Sequence, residues 1–126
     1  MAGTKLDGAG TQKMKTIEEA LITLQKIHGL VERMGVEVAA NRPAVMFPQQ
    51  VKRMATPLQG FLKGQFGLIA DQVSALILAT GRGGGEKLKL RVMRETVAHI
   101  RTALEMAASK VKTQHAVAIE TAGGDD

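Results

Sequence analysis

The sequence predicts an all-α, elongated helical bundle of three main helices, at about residues 16–41, 48–80 and 86–121. Three observations carry that prediction. Apolar residues recur every three or four positions through three long stretches, the pattern of a helix with one buried face. The apolar set is Leu, Ile, Val, Met and Ala. Trp and Tyr are absent and only Phe47, Phe61 and Phe66 are aromatic, so the aromatic enrichment of sheets is missing. An Asn-Arg-Pro stop and a run of glycines separate the stretches.

Residues 1–14 are rich in Gly and Thr and lack periodicity, which predicts a flexible N-terminal arm carrying Lys5 and Lys13. Thr16-Ile17-Glu18-Glu19 has the form of a capping box, in which hydroxyl and carboxylate satisfy each other's backbone N–H groups. The stripe Ile17, Leu21, Leu24, Ile27, Val31, Met34, Val38 then marks the first helix. Asn41 tolerates the left-handed conformation that ends a helix, and Pro43 disfavours helix in the residue before it.

Pro48 suits the first turn of the second helix, whose stripe is Val51, Met54, Leu58, Leu62, Phe66, Ile69, Val73 and Leu76. Pro57 should bend it, and Gly60, Gly64 and Gly67 permit another helix to approach closely. From Phe66 to Ala79 it is apolar on most of its circumference, as in a helix surrounded by protein. Gly81–Gly85 is then the elbow of a long antiparallel hairpin, and Leu90, Met93, Val97, Ile100, Leu104, Ala107 and Val111 stripe the third helix. Residues 15–121 form one helical domain, and 122–126 a flexible tail.

Composition limits the function classes. With no Cys there is no disulfide, no thiolate metal site and no cysteine nucleophile. The start Met-Ala-Gly-Thr-Lys lacks the apolar core of a signal peptide, and the run Phe66–Ala79 is shorter than the ~20 apolar residues a membrane span needs. These features predict a cytoplasmic protein with no membrane partner. The net charge of +5 is compatible with a polyanion partner.

Glycines leading into a helix start suit an anion, and Arg82, Lys87, Lys89, Arg91 and Arg94 cluster at this elbow as a candidate polyanion site. A nucleotide loop requires Gly-Lys-Ser/Thr, whereas Gly85 is followed by Glu86-Lys87-Leu88, so the pattern fails. Lys52, Arg53 and Lys63 would extend the patch. It would neutralise phosphates without reading bases, since no aromatics interleave with the cations.

His28, His99 and His115 read as solvated or flank-packed. Met54-Ala55-Thr56-Pro57-Leu58 ahead of a helical hairpin resembles the dimerisation hairpin of sensor histidine kinases, in which Thr-Pro-Leu follows the phosphorylated histidine. The position four before the Thr holds Lys52, so the resemblance implies a scaffold without phosphotransfer there. The carboxylates show neither Glu-x-x-His nor His-Glu-x-x-His spacing, and the methionines read as core filler. No catalytic residue, metal ligand or cofactor is predicted.

Three thin helices with wide apolar faces predict a homo-oligomer, a dimer or higher. Its expected interface is Leu62, Phe66, Ile69, Val73, Leu76, Met93, Val97, Ile100 and Leu104. The function expected is that of a non-enzymatic, self-associating scaffold acting through protein–protein contacts. One alternative is a sequence-nonspecific, coat- or nucleoid-like nucleic-acid binder using the basic patch. A further alternative is a phosphotransfer-like signalling domain using His99.

Overall fold

The computed structural model describes residues 5–117. Among them lie four helices, α1 (Gly8–Ala39), α2 (Met46–Lys63), α3 (Gly67–Thr80) and α4 (Glu86–Gln114), flanked by two-residue strands β1 (Lys5–Leu6) and β2 (Ala116–Val117). Each helix packs on the one before and the one after it, and α4 closes back onto α1. The all-α bundle is as expected, but with four helices in place of three.

The difference lies in the second predicted helix, which is two helices folded back on each other. Backbone helicity stops at Lys63, Phe66 takes φ −136° and ψ 64°, and α3 starts at Gly67. The N–H groups of Gln65 and Phe66 both donate to the Leu62 carbonyl, closing the turn. The periodicity hides this reversal because Leu62, Phe66, Ile69 and Val73 keep helical spacing across it. Pro57, by contrast, lies inside α2 without ending it. The Thr-Pro-Leu segment therefore lies within a helix that ends at Lys63, and no long hairpin follows it directly.

The first helix begins earlier than its apparent box. Asp7 caps α1, its carboxylate accepting from the Gly10 N–H at 2.7 Å, so residues 8–14 are helical rather than part of an arm. Thr16 is interior, and its hydroxyl donates to the Gln12 carbonyl at 3.1 Å. At the other end Asn41 adopts φ 56°, as read from the sequence. The N–H groups of Asn41 and Arg42 donate to the carbonyls of Val38 and Glu37, which satisfies two of the helix's last acceptors. The elbow residues Gly84 and Gly85 have φ of 100° and 96°, a region side chains disfavour, and α4 follows without a side-chain cap.

The core is one cluster running the length of the bundle. Ile17, Leu24, Ile27, Val31, Met34 and Val38 face it from α1, and Leu90, Met93, Val97, Ile100, Leu104 and Val111 face it from α4. Val51, Ala55, Leu58 and Leu62 of α2 and Ile69, Ala70, Val73 and Leu76 of α3 complete it. At 1.5 Å per residue, the 32 and 29 residues of α1 and α4 span about 48 and 44 Å. The 18 and 14 residues of α2 and α3 span only about 27 and 21 Å. This mismatch leaves part of α4 uncovered.

Past that shorter pair, the ends of the described chain are tied together. Strand β1 pairs antiparallel with β2, Lys5 opposite Val117 and Leu6 opposite Ala116. The third predicted helix accordingly stops at Gln114 rather than near 121, and the expected tail at 122–126 lies outside the described residues. Asp7 meets the His115 Nδ1 at 3.2 Å, while the Lys13 ammonium donates to Nε2 at 3.4 Å. A neutral imidazole with its proton on Nδ1 satisfies both contacts.

Candidate functional site

The residues expected to form an oligomer interface lie mostly inside the single chain. Leu62, Ile69, Val73, Leu76, Met93, Val97, Ile100 and Leu104 are buried in the core, and Phe66 is half-buried at the α2–α3 turn. Once α2 and α3 fold back, these side chains cover one another. Apart from Phe66 and Ile69, which border an open groove, they offer no ready surface to a second copy.

The basic set is scattered in its commitments. Arg82, Lys87 and Arg91 are exposed and Lys89 is half-buried. Arg94 is engaged, its guanidinium donating to both Glu32 carboxylate oxygens at 3.1 Å. That bidentate pair holds the Glu32 carboxyl below its ordinary value, against the opposing effect of partial burial. His28 stands 3.7 Å from the same carboxylate. Arg42, beside Lys87, is likewise paired with Glu37, at 2.7 Å. The cations at this end of the bundle thus alternate with carboxylates. His99 is exposed on α4, and among the described residues no group of three or more His, Cys, Asp or Glu converges as for a metal ion.

An open groove brings exposed apolar side chains together with cations. It has a volume of about 480 Å³ and lies between the start of α3 and the C-terminal half of α4, with Lys13 of α1 alongside. Its apolar surface comes from Phe66, Leu68 and Ile69 on one side and Ala103, Met106, Ala107 and Val111 on the other. Leu68 is 83% exposed and Met106 58% exposed, so two large apolar side chains face solvent here. Lys13 and Lys110 are the charged groups in the lining, together with the amides of Gln65, Gln72 and Gln114. The side-chain oxygen of Gln72 is buried and has no hydrogen-bond partner among the described residues. The first turn of α3 opens at the same place, with no side-chain cap and no acidic residue.

Sequence reasoning singled out none of the residues that make this groove open. Leu68 and Met106 lie off the core stripes, and Lys13 was assigned to an arm. The signal that would have found the groove was the pair Gly64 and Gly67 bracketing a break in the second helix. Without that break, no shorter helix pair exists to leave α4 uncovered.

Comparison with protein-family models, with curated proteins and with solved structures finds no match for this chain. Among the described residues no helix is long and apolar enough to cross a membrane.

Proposed function

We propose that the protein is a non-enzymatic helical scaffold that acts through protein–protein contacts, made at the groove between α3 and α4. The observation that carries this reading is the exposure of Leu68 and Met106 beside an apolar floor. Apolar surface kept in water forfeits roughly 25 cal/mol for every Å² that a partner would cover. Exposed apolar side chains gathered in one groove, rather than scattered singly, are the kind of surface an interaction site uses. The reading concerns the groove and holds for either occupant, a second copy or a different protein.

A photo-reactive residue placed at Leu68 or Met106 in the producing cells tests it. Discrete protein adducts are expected at both positions and not at Ile22, which is exposed on α1 outside the groove. Adducts equally abundant at Ile22, or none at Leu68 and Met106, would overturn the proposal. The nucleic-acid reading is the less favoured one, because Arg94 is paired with Glu32 and its neighbours interleave with Glu86 and Glu95.

A further inference from the structure

The groove has a sign as well as a shape. Its lining includes the ammonium groups of Lys13 and Lys110 and no carboxylate. Asp71, one turn beyond Leu68, is exposed but does not line it. The uncapped start of α3 adds unpaired backbone N–H groups and the positive end of a helix dipole in the same place. Resting on the reading of the groove as a protein contact, we infer that its occupant is an amphipathic helix of another protein, with acidic residues flanking its apolar stripe.

Three features favour a helix over a small amphipathic anion. The groove follows α4 from Ala103 to Gln114, about 16 Å or three helical turns. Ala103 and Ala107, one turn apart on its floor, keep that side shallow enough for a second helix to approach. Leu68 and Met106 project from its sides, where a ligand confined to the floor would leave them wet, whereas a helix laid along the groove covers both. A second copy is a poorer match in charge. The chain carries a net +5, so a second copy would bring a like-signed surface to the two lysines of the groove.

The test uses two synthetic helical peptides with the same Leu stripe at i, i+3, i+4 and i+7, one flanked by Glu and the other by Lys. Fluorescence anisotropy with the full chain is expected to show the Glu peptide binding about tenfold more tightly, with the advantage shrinking as salt rises. Lys110 is exposed on α4, so Lys110→Glu should fold normally and narrow or reverse the preference. Leu68→Ser should weaken binding of the Glu peptide while leaving the circular-dichroism melt unchanged.

Equal or tighter binding of the Lys peptide would overturn the inference, as would failure of both peptides to bind. Concentration-dependent dimerisation through the groove would also overturn it, making a second copy the occupant. Each of these results leaves the protein-contact reading standing as long as cross-linking at Leu68 and Met106 still captures protein.

Discussion

Asp7 does two jobs from one carboxylate. It caps α1 through the Gly10 N–H and holds the His115 ring that follows α4. The backbone bond to Gly10 is the main reason its carboxyl sits below the ordinary 3.8, with His115 adding to the effect and partial desolvation opposing it. A carboxyl depressed by folding stabilises the native state above its unfolded pKa, and that contribution is lost as pH falls through the folded pKa. Asn also caps helices well, so Asp7→Asn removes the charge and keeps an acceptor. The melting difference between wild type and Asp7→Asn is therefore expected to favour wild type above 3.8 and to shrink as pH falls below it, through the lowered folded value. A difference that persists unchanged into strong acid would show that the charge is not what matters. Neither role was legible in the sequence. Thr16 offered a good local capping pattern, and the contact that selects Asp7 instead comes from a residue 108 positions away.

At the scale of single elements, the stripes of α1 and α4 were legible almost residue for residue, because a long helix with one buried face writes its period directly. The α2–α3 reversal was not. A turn that preserves the phase of the apolar pattern leaves no trace in periodicity, and the glycines that permit it were equally compatible with close helix packing. The reversal changes what a mutation at Val73 does. Placed at an interface between copies, Asp at this position would dissociate an oligomer. Buried within the α3 side of the core, it places an unpaired charge inside the chain, at a cost of several kcal/mol against a total stability of about 5–15 kcal/mol. Val73→Asp is accordingly expected to lose the cooperative circular-dichroism transition altogether. A folded, monomeric Val73→Asp protein would contradict this burial.

In the whole molecule, two long helices back two short ones, and this inequality of length produces both the groove and the clasp below it. The groove could not be read from the chain because it is a deficit, an area of α4 that nothing in the sequence is long enough to cover. The clasp has a separate consequence. Since β1 and β2 bring residues 5 and 117 side by side, the helices already describe a nearly closed ring in space, broken covalently at one place only. The site of that break is then arbitrary as far as packing is concerned. A circular permutant that joins Lys5 to Val117 through a short glycine linker and opens between Gly83 and Gly84 is expected to keep the helical content and a cooperative melt. Its helix order would run α4, α1, α2, α3, with α3 and α4 now the terminal elements. Loss of the fold in that permutant would mean that the covalent elbow, and not the adjacency it creates, is what holds α3 against α4.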